Sequence, residues 1–197
     1  MSVGAIVFTL LIVGSVFYAI SIYNRLVTLK NRHENAFSQI EVQLKRRYDL
    51  IPNLVETAKG YMAHERETLE AVIAARNEAA TMLKGAAATL SGDAMQQLAG
   101  AEGVLQGALS KLNVVMEAYP ELKANENMMQ LSEELTTTEN RVAFARQSFN
   151  DAVTAYNAYR QSFPVNVLST SFGHPKDASL LEFADSAEIQ QAPKISF

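Results

Sequence analysis

Residues 26–62 read LVTLKNRHENAFSQIEVQLKRRYDLIPNLVETAKGYM, and the spacing of their apolar positions decides the fold. Leu26, Leu29, His33, Phe37, Ile40, Leu44, Tyr48, Ile51, Val55, Ala58 and Met62 follow one another at steps of three and four. That is the period of a helix with one face turned to a core, not the alternation of a strand. Two features sit inside this stripe without shifting its phase: the run Lys45-Arg46-Arg47 and the proline Pro52. A proline within a helix removes the hydrogen bond to the carbonyl four residues earlier, here that of Tyr48, and its ring crowds that turn. An unchanged stripe on both sides predicts one long helix with a kink or short break, the alternative being a true turn near residues 50–53. The three bases fan around the helix, because successive residues rotate by about 100°. Lys45 and Arg47 then flank the stripe and Arg46 points away, their stems covering apolar edges while the charges stay wet or pair within the body. A straight helix carries them ~30 Å from a bilayer, which disfavours lipid contact.

Upstream, Val3–Ile22 carries no charged side chain over 20 positions. At ~1.5 Å per residue it spans ~30 Å, the thickness of a hydrocarbon core. Tyr18 and Tyr23 stand near its far end, where amphipathic rings favour the interface. A cleaved signal peptide is the competing reading, with Ala19-Ile20-Ser21 as a loose cleavage site, but no Lys or Arg precedes the run and it is long for such a segment. An uncleaved single-pass anchor is expected. Arg25, Lys30 and Arg32 follow it closely, so the positive-inside bias places the short N-terminus outside and the body in the cytoplasm.

Downstream, a second helix is expected from about His64 to Leu90, with Leu69, Val72, Ile73, Ala80, Leu83 and Leu90 inward. A third begins in SGDAMQQL, where Asp93 and Gln96 match a capping box. Its stripe is Met95, Leu98, Leu105, Leu109, Leu112, Met116 and Tyr119, with Glu102 in a core-side slot. In the fourth, Leu131, Leu135, Thr138, Val142, Ala145, Phe149, Ala152, Tyr156, Tyr159 and Phe163 alternate steps of four and three, a period that favours left-handed bundle packing. Phe163-Pro164 ends it. Short connections make neighbours antiparallel. The expected fold is therefore all-α: an anchor over 1–24, a four-helix up-and-down bundle over 25–164, and an irregular tail over 165–197. Phe172, Leu180, Leu181, Phe183, Ile189 and Phe197 can pin that tail along the bundle.

The stretch SQIEVQLKRRYDLIPNLVETAKGYMAHERETLEAVIAAR (38–76), preceded by a span and YNRLVTLKN (23–31), closely resembles the LemA family of bacterial membrane proteins. ENRVAFARQSFNDAVTAYN (139–157), FP (163–164), FG (172–173) and LEF (181–183) are similar to that family as well. The resemblance covers nearly the whole chain. It implies a protein of the bacterial inner membrane with a largely helical, bundle-like body. It brings no biochemical activity and no catalytic residues to carry over.

The residues themselves offer little chemistry. A net charge of -4 argues against nucleic acid as a partner. The absence of cysteine removes disulfides, thiolate metal sites and a cysteine nucleophile. His64-Glu65 opens like a zinc-helix motif, but the second histidine is replaced by Thr68, so a surface connector is expected. His33 on the first stripe and His174 before Pro175 read as packed imidazoles. Glu102 pairs naturally with Arg76, and Asp151 with Arg141 or Arg146. No catalytic, cofactor-binding or metal-binding residue is assigned, no cofactor is expected, and the chain reads as a non-enzyme.

One departure from good helix chemistry stands out. Gly100, Gly103 and Gly107 occur within the third helix, each costing about 1 kcal/mol relative to alanine. Ala99, Gly103 and Gly107 form a ridge of small residues that another helix can approach, within the chain or from a second copy; a locally frayed helix is the alternative. The reading this favours is a membrane-anchored scaffold or adaptor that self-associates or presents a surface to another envelope protein. A regulatory subunit of a membrane protease or signalling enzyme, and a lipid- or small-ligand-binding bundle, are the alternatives.

Overall fold

The computed structural model describes residues 2–183, and across them the chain is helical, with no strand. Helix α1 (Val3–Lys59) is a single element of 57 residues. At 1.5 Å per residue it is ~85 Å long. Near its N-terminus an 18-residue window, none of it buried against the rest of the protein, is long and apolar enough to cross a membrane. The helix then passes without interruption into the stripe, whose members from Ile22 to Ala58 are buried. The remaining elements are α2 (Arg66–Thr89), α3 (Gly92–Met116), the single turn α4 (Pro120–Lys123), the long α5 (Glu126–Gln161) and the single turn α6 (Val165–Leu168).

Helix α5 packs along α1, α2 packs on α3, and α1 also meets α2. One core draws on all four long helices, from Phe37 and Leu44 through Leu69 and Leu83, Leu98 and Leu105, to Val142 and Phe149. A second cluster joins Ile22, Leu26 and Leu29 to Tyr156 and Val165, at the end nearest the apolar run. The first stripe and most of the third and fourth pack as expected from spacing, with Tyr119 half-buried past the end of α3. In α2 the buried row is Leu69, Val72, Ala75, Ala79, Leu83 and Ala86, while the expected Ile73, Ala80 and Leu90 are half-buried, because small alanines let the neighbouring helices approach there. Within the fourth stripe the exception is Phe163, which is 83% exposed because α5 ends at Gln161 and the chain turns before it. Leu131 and Tyr159 are half-buried. Ile189 and Phe197 lie outside the described residues.

The helix ends correct two details. Helix α2 starts at Arg66 and not His64, which stays exposed in the connector. The N-cap of α3 is Ser91, whose hydroxyl accepts from the Ala94 N–H at 3.3 Å; Asp93 lies within the first turn, where its charge favours the helix N-terminus. Between α2 and α3 the chain turns in two residues, with Leu90 in the left-handed region at φ 48° and its N–H on the Ala86 carbonyl. The cap of α5 is Asn125, accepting from Met128 N at 3.1 Å.

Pro52 is the informative exception. It lies inside α1, and the turn near residues 50–53 does not form. The Tyr48 carbonyl that a proline at 52 leaves without its usual partner is taken by α2: Arg76 Nε donates to it at 2.9 Å. The same guanidinium lies 3.8 Å from Asp49. The proline thus exposes an acceptor on one helix that an arginine of the next one hooks. Arg76→Ala should lower stability by about 1.5–3 kcal/mol, the usual worth of a hydrogen bond from a charged donor. In a Pro52→Ala background the loss should shrink, because the residue-52 N–H can then satisfy Tyr48. Denaturation curves of the two single variants and the double variant, followed by helix signal, measure this; equal losses in both backgrounds would show that the hook does not depend on the proline.

Candidate functional site

Helix α3 sends Met95, Leu98, Leu105, Leu109 and Leu112 into the core and places Glu102 in the same row. A carboxylate there is costly unless it is paired and hydrogen-bonded. Glu102 is 2% exposed, and its partner is Arg47, 4% exposed, across a 2.9 Å contact from Nη1 to Oε2. The Tyr48 hydroxyl donates to the other carboxylate oxygen. Arg47 Nη2 donates to Gln106 Oε1 at 2.6 Å and to Glu139 Oε1 on α5 at 3.2 Å. One guanidinium therefore ties α1, α3 and α5 together. Burial pushes the Glu102 carboxyl above its ordinary value, against the pull of Arg47 and the Tyr48 hydrogen bond. Burial and the adjacent carboxylate push the Tyr48 hydroxyl up as well, so it remains a proton donor.

This arrangement corrects the pairing expected from sequence. Glu102 meets Arg47, because Arg76 is engaged by the Tyr48 carbonyl released at Pro52. Of the run 45–47, Arg47 is buried while Lys45 and Arg46 are exposed. Arg146 is also largely buried, its guanidinium 4.4 Å from the Phe183 ring centre, and Asp151 is exposed.

Above the ion pair runs a groove of about 800 Å³ between α3 and α5, lined by Arg47, Glu102, Gly103, Gly107, Glu139 and Arg146 among others. Gly103 and Gly107 of the ridge line this opening. Helix α3 is unbroken through it, and a Cβ built on Gly100, Gly103 or Gly107 meets no atom within 4 Å. The three glycines therefore lie in an unbroken helix with no neighbour close to them among the described residues, while Ala99 packs against the core.

Two further clusters were hidden in the sequence. His33 and His174, 141 positions apart by their numbers, meet through Tyr156. The Tyr156 hydroxyl is 2.9 Å from His174 Nδ1, and its ring stacks at a tilt 5.1 Å from that of His33. Burial lowers the pKa of both imidazoles, with Lys30 adding to the effect on each and Arg160 on His174. Both therefore sit as packed neutral rings. Second, Asn150 and Asn157, seven residues apart on α5, each grip the backbone of the segment after α6. Asn157 donates to Ala178 O at 2.9 Å and accepts from Ala178 N at 2.8 Å. Asn150 does the same to Leu181, at 3.1 and 2.9 Å. Arg160 adds bonds to the carbonyls of His174 and Pro175 at 3.1 and 2.7 Å. A spacing of seven returns to the same helix face, which suits an extended strand laid along it.

These features hold helices and a strap in register. Among the described residues no group of three or more His, Asp or Glu side chains comes close enough to hold a metal ion. The Arg47–Glu102 pair predicts a specific pattern of stabilities. Arg47→Met leaves the buried Glu102 without a cation and should cost about 3–5 kcal/mol, and Glu102→Ala, which leaves Arg47 with Glu139 and Gln106, should cost less. The double variant Arg47→Met/Glu102→Leu leaves no lone charge in the core and should recover much of that loss. Chemical denaturation checks it: a double-variant loss equal to the sum of the single losses would mean that the two groups act independently.

The family model described as LemA family matches residues 36–197, most of the chain. Among curated relatives, the Magnetosome protein MamQ 2 of Paramagnetospirillum magneticum is 28% identical over 163 residues, covering 75% of this chain and 60% of that protein. The Magnetosome protein MamQ of Magnetospirillum gryphiswaldense is 27% identical over 167 residues, covering 77% of this chain and 61% of that protein. Protein LemA of Metamycoplasma hominis is 26% identical over 166 residues, covering 83% and 71%. The chain thus spans only about 60% of the length of the MamQ proteins it matches. The matched region takes in the stripe of α1 from Phe37 onward, the buried Arg47–Glu102 pair and the α5 clamp, and on that extent the chain belongs to the LemA family.

Proposed function

We propose that this protein is a non-enzymatic scaffold of the bacterial cytoplasmic membrane, anchored by the first twenty residues of α1, with its body in the cytoplasm and its α3 face open to a second copy of itself. The body is read as an up-and-down bundle of α1, α2, α3 and α5. Orientation rests on Arg25, Lys30 and Arg32 just beyond the apolar run. The observation that carries self-association is the glycine ridge. Three glycines inside an unbroken helix give up about 1 kcal/mol each relative to alanine. Nothing within the described chain approaches them to offset that cost. Val104, next to Gly103 on α3, is exposed. Small residues that admit a close helix suit a helix–helix contact between copies.

A second reading, an adaptor for another membrane enzyme, is favoured by the clamp on α5. Asn150 and Asn157 bind only backbone atoms of the strap, so they select an extended conformation and not a sequence. A partner's extended segment can satisfy the same four hydrogen bonds.

The self-association reading separates assembly from folding. Gly103→Leu/Gly107→Leu should raise the melting temperature, since each change improves helix propensity in open space. It should also abolish association, because the added side chains fill the ridge. Sedimentation of detergent-solubilised protein over a range of concentrations is the measurement. A wild type that stays monomeric throughout, or a variant that associates as the wild type does, contradicts the reading.

A further inference from the structure

The chain around the end of α5 carries more exposed apolar surface than the body needs. Phe163 is 83% exposed and Val167 is 67% exposed, on either side of a short turn. From Gln161 to Gly173 the sequence QSFPVNVLSTSFG contains no charged residue. Such a stretch is unusual on a water-facing surface, where single exposed apolar groups are normal but are set among charges.

Its position follows from the packing of α5 on α1. Phe149 meets Phe37 with ring centres 5.6 Å apart, and Tyr156 meets His33 at 5.1 Å. Rising numbers on α5 therefore run toward the apolar end of α1. At equal rise per residue, Phe163 comes roughly level with residues 23–26. Two observations agree with that register. Val165 is buried in one cluster with Ile22 and Leu26. The Phe172 ring meets Tyr23 edge-on at 5.6 Å. The turn after α5 thus stands beside the last turn of the apolar run, at the depth of a bilayer's interfacial layer if Val3–Ile22 fills its core.

We propose that Phe163–Val167 is a second membrane contact, in which the Phe163 ring and the Val167 side chain insert into the headgroup and upper acyl layer beside the span. Val165, buried in the cluster it shares with Ile22 and Leu26, holds the turn to α1, so the insertion needs no rearrangement. An aromatic ring and a branched aliphatic on an uncharged turn are suited to that layer. The contact adds a second point to the anchor. A single helix leaves the body free to rotate about the span, and an off-axis insertion fixes which face of the body turns toward the bilayer. This inference rests on the membrane-spanning reading of α1.

The chain contains no tryptophan, so one introduced indole reports alone. Phe163→Trp, Val167→Trp and, as a reference on the body, Phe144→Trp are placed in the full chain, one per variant, and reconstituted into lipid nanodiscs. Phe144 is 74% exposed and stands many turns from the apolar run. The expected result is that the indoles at positions 163 and 167 emit at shorter wavelength than the reference indole at 144. They should also lose most of their intensity to lipids brominated near the top of the acyl chain, and resist iodide. The reference indole should show the opposite. If the protein stays in nanodiscs through an alkaline wash while the indoles at 163 and 167 are as open to iodide as the reference and untouched by brominated lipid, the second contact is refuted and the span stands. If the protein does not stay in the nanodiscs, the span and the contact fall together.

Discussion

The continuity of α1 through residue 52 is the constraint on which the rest of the molecule depends. A helix hydrogen-bonds its own backbone, so it is one of the few structures that can leave an apolar run and enter an aqueous body without a joint. Here the same rod presents bare apolar surface toward its N-terminus and a buried stripe from Ile22 onward. No linker separates the two. The face that α1 turns to α5 is therefore fixed relative to the segment that would lie in lipid, and so are the groove, the strap and the turn after α5. Pro52 endangers this continuity, and Arg76 makes use of the acceptor that the proline exposes. A feature that costs one bond within α1 becomes a bond between α1 and α2.

What the sequence made legible was periodic. Stripes at three and four residues picked out Leu26 to Ala58 on the first helix, Met95 to Met116 on the third and Leu135 to Tyr156 on the fifth, because burial repeats with the helix and needs no knowledge of partners. The boundaries and pairings were less legible. Asp93 and Gln96 fit a capping box, yet Ser91 caps α3, since a left-handed Leu90 ends α2 one residue before it. The choice of Arg47 over Arg76 for Glu102 depended on an acceptor released in another helix, a fact of three-dimensional packing with no local signal. Phe163 kept the period but fell past the end of its helix.

Long-range polar contacts were the least legible. His33 and His174 are joined by a tyrosine on a third element. Asn150 and Asn157 act on backbone atoms, which carry no side-chain signature at the far end. One signal was available: two asparagines seven apart near the inward edge of a helix are poor helix formers in costly places, and that cost invites a search for what they hold. The glycines of α3 posed the same question. For the asparagines the described chain contains the answer; for the glycines it contains only open space. The charged core is structural in character, a buried arginine shared by two carboxylates and an amide, and it sets the register of three helices.

The coupling of span to body requires α1 to be one straight-running element from lipid to core, and the chain's lack of cysteine makes a direct distance measurement clean. Spin labels placed by Ser15→Cys and Glu56→Cys, both exposed sites, can be measured by pulsed dipolar spectroscopy in nanodiscs. An unbroken helix sets them ~60 Å apart, at 1.5 Å per residue, in a single narrow distribution. A much shorter mean distance, or a broad spread of distances, would mean that the segment between them bends at a joint, and the coupling would be lost.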